Sequence, residues 1–279
     1  MFLGYNTNGF AHHRLEDAIE VLAALGYRGV GLTLDVHHLD PFAPDLLGRA
    51  AAVRQRLERH NMRCVIETGA RFLLDARRKH HPTLLSPTPE ERDARLEFLE
   101  RCVDVASELR ADCVSFWSGA ATDAAPHDEL MRRLTDGCKR VVERAERAGV
   151  VLAFEPEPGM FIDTMSKFEE LHRWVGRADV FRLTVDVGHL VCNRELPVST
   201  FLEHHGGELF NVHIEDMRAG THDHLIFGAG EVDFADVFAG LRAANYTNGV
   251  YVELSRHSYD AVSTARGATA FLAPFLGGG

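Results

Sequence analysis

Short apolar, β-branched runs alternate along this chain with longer stretches in which apolar residues recur every three or four positions. The runs Phe2 to Asn6, Gly29 to Leu34, Arg63 to Glu67, Asp112 to Phe116 and Val151 to Phe154 read as strands, as do those ending at Asp186, His213 and Glu253. Between them, Leu15, Ala18, Ile19, Leu22 and Leu25 form one helical stripe, Leu46, Leu47, Ala50, Val53 and Leu57 a second, and Leu96, Leu99, Val103 and Ala106 a third. Further helices are predicted over Asp128 to Ala148, from a capping box at Ser166-Lys-Phe-Glu169, over Leu196 to His205, after Asp233 as N-cap, and over Tyr259 to Leu276. Strand and helix thus alternate eight times. Parallel strands need crossover helices, and no linker, composition break or short repeat divides the chain. The pattern predicts an α/β fold: a single closed (β/α)8 barrel over residues 1–279. Its longest irregular connection, Thr68 to Pro89, follows the third strand.

Four consecutive strands, the fifth to the eighth, carry an acid or an imidazole at their ends. Val151-Leu-Ala-Phe runs into Glu155, Leu183-Thr-Val into Asp186, Leu209-Phe-Asn-Val into His213, and Val250-Tyr-Val into Glu253. A parallel barrel gathers these ends at one mouth, so the four side chains are expected to converge. Two Glu, one Asp and one His make an oxygen-rich donor set for one divalent ion, best suited to Mn²⁺ or Mg²⁺ and compatible with Co²⁺ or Zn²⁺. Four protein ligands leave two octahedral positions for neighbouring oxygens of a hydroxycarbonyl compound. Polarised there, the carbonyl acidifies the adjacent C–H, and the metal stabilises the enediolate that forms. Glu155 and Glu253 come from different sides and are the expected proton-transfer pair. Returning the proton to the neighbouring carbon isomerises an aldose and a ketose; returning it to the same carbon from the opposite face epimerises. Expelling a β-hydroxyl instead would make the protein a dehydratase, and a sugar-binding barrel without turnover is a further alternative.

Around this set, His189 and Arg218 are expected to hold substrate oxygens, and Glu157 to contact substrate if it faces inward. Trp117 is either a platform for a sugar ring or cover for the core at the mouth. His37 and His38, after the second strand, read as a solvated loop, with substrate contact as the other reading. His222 and His224 read as a polar loop, with an additional metal site as the other reading. The Thr68 to Pro89 connection carries Arg71, Arg77, Arg78, Lys79, His80 and His81; it reads either as a solvated charge run or as a lid whose basic edge would suit an anionic or polyhydroxy substrate.

Composition narrows the partners. With 30 Lys plus Arg against 41 Asp plus Glu, the net charge of −11 opposes a phosphodiester backbone, so nucleic acid is disfavoured. Five scattered cysteines without a C-x-x-C pair indicate a reducing compartment and no thiolate zinc site. No run approaches the roughly 20 apolar residues that span a bilayer, and no basic leader precedes the first strand. A cytoplasmic protein acting on a small sugar or polyol is expected, with homo-oligomerisation left open. Gly277-Gly-Gly reads as a frayed tail.

At Phe154-Glu155-Pro156, Asp186-Val-Gly-His189, Val212-His213-Ile-Glu-Asp216 with Arg218, Gly228-x-Gly230-x-x-Asp233-Phe and Val252-Glu253, the sequence resembles the xylose isomerase-like TIM-barrel superfamily of sugar and sugar-phosphate isomerases and epimerases. The resemblance covers nearly the whole chain. Similarity to ketose 3-epimerases implies that Glu155, Asp186, His213 and Glu253 hold one divalent metal, that Glu155 and Glu253 double as the acid/base pair, and that His189 and Arg218 touch substrate oxygens. The superfamily also contains inosose and dehydroshikimate dehydratases and a zinc-dependent apurinic endonuclease. The endonuclease pattern has histidines at the ends of the third and fourth strands, where this chain carries Glu67 and Phe116-Trp117.

Overall fold

A computed structural model describes residues 1–276, so the Gly277 to Gly279 tail lies outside the described residues. Eight strands close into a parallel barrel: β1 (Phe2–Asn6), β2 (Gly29–Thr33), β3 (Arg63–Glu67), β4 (Val114–Phe116), β5 (Leu152–Phe154), β6 (Phe181–Asp186), β7 (Leu209–Ile214) and β10 (Gly249–Val252), with β10 pairing back onto β1. Helices α1 (Leu15–Ala24), α2 (Leu46–Arg59), α3 (Pro89–Leu109), α4 (His127–Ala148), α5 (Met165–Val175), α8 (Phe234–Ala243) and α9 (Ala261–Leu276) are the main outer helices. The predicted barrel is therefore the observed one. Among the described residues no helix is long and apolar enough to cross a membrane.

The two-residue period of a strand explains what fills the barrel and what caps it. Inward positions low in the barrel are apolar: Val65, Cys113, Ala153 and Tyr251 form one packed cluster. Tyr251 is 1% exposed and needs glycine opposite, since a Cβ on Gly4 would overlap its ring and one on Gly29 would lie 3.1 Å from its hydroxyl. One inward step higher, Ser115 Oγ lies 3.0 Å from Thr184 Oγ1 and Asn211 is 1% exposed. Two residues beyond Val65, Ala153, Thr184, Asn211 and Tyr251 on their strands come Glu67, Glu155, Asp186, His213 and Glu253. Outward positions pack on the helices, as where Phe154 meets Phe116 edge-on at 5.2 Å and stacks on Phe168 of α5.

The structure departs from the predicted elements at four places. Leu46 is buried but Leu47 is 53% exposed, because successive helical residues point about 100° apart and only one can face the barrel. Helix α5 begins at Met165, with Thr164 rather than Ser166 as its cap: Thr164 Oγ1 accepts from the Lys167 backbone N–H. The single helix expected over Leu196 to His205 is preceded by another, giving α6 (Val187–Cys192) and α7 (Val198–His204). The expected polar loop after β7 is an antiparallel hairpin of β8 (Asp216–Arg218) and β9 (Thr221–Leu225). The connection from Thr68 to Thr88 is irregular, as expected.

Candidate active site

One ligand atom from each of Glu155, Asp186, His213 and Glu253 lies within 4.8 Å of the others. Each is placed by the strand it ends. Asp186 closes β6 and caps α6, its Oδ1 accepting the His189 backbone N–H at 3.0 Å. Its other oxygen, Oδ2, is buried without a hydrogen-bond partner. Glu253 Oε1 accepts from Asn8 Nδ2 at 2.9 Å, and Oε2 lies 3.1 Å from His213 Nδ1. Glu155 Oε1 lies 3.2 Å from the same nitrogen.

His213 presents Nδ1 to the two glutamates because its other nitrogen is engaged: Nε2 lies 2.9 Å from Glu67 Oε1. A carboxylate on the far side of a ligating imidazole fixes its tautomer and orientation. Glu67 was not among the expected site residues. Arg63-Cys-Val-Ile-Glu67 nevertheless repeats the pattern of an apolar run ending in an acid, and that signal could have found it.

These groups are buried together, and their electrostatics are unbalanced. Burial pushes Glu155 up to about 7, outweighing the attraction of His213. Glu157 is pushed up to about 8 by burial and by Glu155 and Glu253. For His213 burial opposes the charge, yet Glu67 and Glu155 outweigh it and hold the imidazole well above its ordinary value. Burial also opposes ionisation of Glu253, but the hydrogen bond and charge of His213 hold its carboxyl well below the usual range. Three clustered carboxylates, an orphaned buried oxygen and a pre-oriented imidazole fit a divalent cation, whose charge would relieve the repulsion.

A family model of the xylose isomerase-like TIM barrel matches residues 19–275. The chain belongs to that family. Its similarity to the L-ribulose-5-phosphate 3-epimerase of Shigella flexneri serotype 5b (strain 8401) is 28% identity over 193 residues, 68% of this chain and 66% of that one. The D-allulose 3-epimerase from Methylomonas sp. superposes with a TM-score of 0.80 at 19% identity, covering 99% of this chain and 98% of that one. A crystal structure of the IOLI protein with a bound zinc atom gives 0.76 at 16% identity, covering 99% and 98%.

Within this family member, the site residues expected from sequence are sorted by one cavity of about 260 Å³ above the donor set. Glu157, Trp117 and His189 line it. His189 is 4% exposed, with Nδ1 3.1 Å from the Pro156 carbonyl and Nε2 3.0 Å from His222 Nε2. Burial pushes it down to about 4. Arg218 is not brought to the cavity: it is exposed, and its guanidinium donates to the Ala229 carbonyl at 2.7 Å. His37 is exposed, and His38 is buried against Thr7 and Phe10 instead. The hairpin swings both His222 and His224 into the cavity, so they are not merely loop residues. Behind them Glu215, fully buried, is held well above the usual carboxylate range by burial and by Asp186.

Proposed function

We propose that this chain is a divalent-metal-dependent epimerase or isomerase of a sugar or related keto-polyol, working by proton transfer at the carbon beside a carbonyl. The observation that carries the reading is the pair of glutamates in one four-residue donor set, delivered by separate strands, Glu155 after β5 and Glu253 after β10. Relatives named as ribulose-phosphate and allulose 3-epimerases support the same chemistry. Mn²⁺ or Mg²⁺ suits the carboxylate-rich set best, and the zinc in the IOLI protein supports a wider choice that includes Co²⁺ and Zn²⁺.

Glu155, Asp186, His213 and Glu253 would hold the ion, whose charge would polarise the substrate carbonyl and stabilise the enediolate. The chain's own residues do the rest. Asn8 donates to Glu253 Oε1 at 2.9 Å, so this carboxylate is oriented before substrate arrives. One glutamate removes the proton and the other returns it from the opposite face. His189, neutral and fixed by Pro156, and Glu157 offer hydrogen bonds to hydroxyls, while Trp117 gives the ring an apolar wall. The whole chain, residues 1–279, is taken as one functional unit, and its five buried free cysteines support a cytoplasmic setting.

The test is solvent-deuterium exchange at the carbon beside the carbonyl, followed by NMR over a panel of ketoses and keto-inositols with Mn²⁺. Exchange with an epimerised or isomerised product is expected, and Glu253→Gln or Glu155→Gln should lower it by about 10²- to 10⁴-fold. A dehydrated product would replace this reading with a lyase. Absence of exchange across the panel would reduce the protein to a binder.

A further inference from the structure

The cavity has two ends of opposite charge, and only the acidic end is explained by the metal site. At the other end Arg71 and Lys79 line the wall from the long loop after β3, with Arg256 reaching in from the segment after β10. The loop is fastened so that its two cations stay together: the His80 backbone N–H donates to the Arg71 carbonyl at 2.6 Å, and His80 Nδ1 lies 3.0 Å from the Ala70 carbonyl. Beyond them Thr83, Leu84, Leu85 and Ser86 are buried and anchor the segment against the barrel.

The loop uses its basic residues in two ways. Arg78 faces away and is neutralised, 2.6 Å from Asp75 and 2.9 Å from Glu91. Among the described residues, neither Arg71 nor Lys79 has a carboxylate within 4.0 Å. Arg256 is paired with Asp223. Behind Trp117 stands a further cation without a carboxylate, Arg95, 2% exposed and 4.9 Å from the indole ring. In a chain with 41 acidic residues against 30 basic ones, two cavity-lining cations without a carboxylate within 4.0 Å are a matter of placement rather than surplus. Burial and the charges of Arg71 and Arg256 weaken the protonation of Lys79, with Glu157 acting against them, so the cations repel one another. An anion between them would remove that repulsion.

We propose that Arg71 and Lys79, with Arg256 lining the same cavity, form a subsite for a terminal oxyanion on the substrate. The inference rests on the cavity being the sugar site described above. The substrate would then place its carbonyl end over the carboxylates and an anionic end, a phosphate monoester or a carboxylate, at the basic wall. Arg71 supplies a fork of donors matched to two oxygens, and Lys79 a mobile point charge.

The test is calorimetric binding to the Mn²⁺-loaded protein of three ligand series: ketopentose 5-phosphates, the same ketoses unphosphorylated, and keto-uronates. The phosphate ester or the uronate should bind at least tenfold tighter than the neutral ketose, and the tighter of the two identifies the oxyanion. Arg71→Met and Lys79→Met should each lower that preference by about 10- to 100-fold, as expected for removing a charged hydrogen bond. Arg78→Met, in the same loop but paired elsewhere, should leave the preference as it is. Equal affinity for charged and neutral ligands, or a preference that survives both substitutions, overturns the proposal. Because binding is read apart from turnover, charge-dependent affinity without deuterium exchange would sink the catalytic reading and leave the subsite standing.

Discussion

Replacing Glu67 is the sharpest probe of the proposed metal site, because this residue is none of the four expected ligands yet positions one of them. Its Oε1 lies 2.9 Å from Nε2 of His213, and both side chains are buried. Glu67→Gln keeps an acceptor of nearly the same shape but removes the charge. A hydrogen bond to a charged group is worth about 1.5–3 kcal/mol against about 0.5–1.5 for a neutral one. The difference, about 1–1.5 kcal/mol, corresponds to a roughly five- to tenfold weaker Mn²⁺ complex; Glu67→Ala, which loses the bond altogether, should weaken it by about 10- to 100-fold. Competition with a chelating dye at pH 8 measures both. A second readout is the stability of the metal-free protein against pH. His213 is held well above its ordinary 6.5, with Glu67 the largest favourable charge. A raised histidine stabilises fully below its unfolded value and loses that contribution as pH rises through the folded one. In Glu67→Gln the folded value falls, so the contribution should be smaller and its loss complete at lower pH. Unaltered Mn²⁺ affinity in both variants, with an unaltered pH profile, would refute the idea that His213 faces the metal through Nδ1.

Two further outcomes follow from the same geometry. Saturating metal should stabilise the fold: at a hundredfold excess over its dissociation constant Mn²⁺ contributes about 2.7 kcal/mol, roughly 5–10 °C in Tm, and Asp186→Asn should abolish most of the shift seen by calorimetry. The Asp216 carboxylate accepts backbone N–H groups from Met217 at 3.0 Å, Val232 at 3.1 Å and Gly228 at 2.8 Å. Asp216→Ala strands three donors and should cost about 2–4 kcal/mol in denaturant titration; a loss below about 0.5 kcal/mol would show that the hairpin does not depend on it.

Much of this protein is legible from its sequence. The alternation of two-residue and three-to-four-residue apolar periods specifies the barrel, and an apolar run ending in an acid or imidazole marks Glu155, Asp186, His213 and Glu253, because in a parallel barrel those endings must share one rim. Local chemistry suffices there, since strand direction alone sets where the last inward side chain goes. Partnerships between remote groups were not legible. Glu67 carries the same signal as the four donors, but only barrel closure decides that it faces Nε2 of His213 rather than joining them. Arg218 looked like a substrate contact, yet Asp216 draws the turn at Gly228 to Val232 under the hairpin, and the Ala229 carbonyl then captures the guanidinium. Arg78 and Lys79 are sequence neighbours of equal charge, but Asp75 and Glu91 neutralise the first and leave the second to the cavity. Sequence pattern acts over a few residues and fixes which way each element points. Which charges meet depends on how the connections fold back over the rim, and that is set by tertiary contacts.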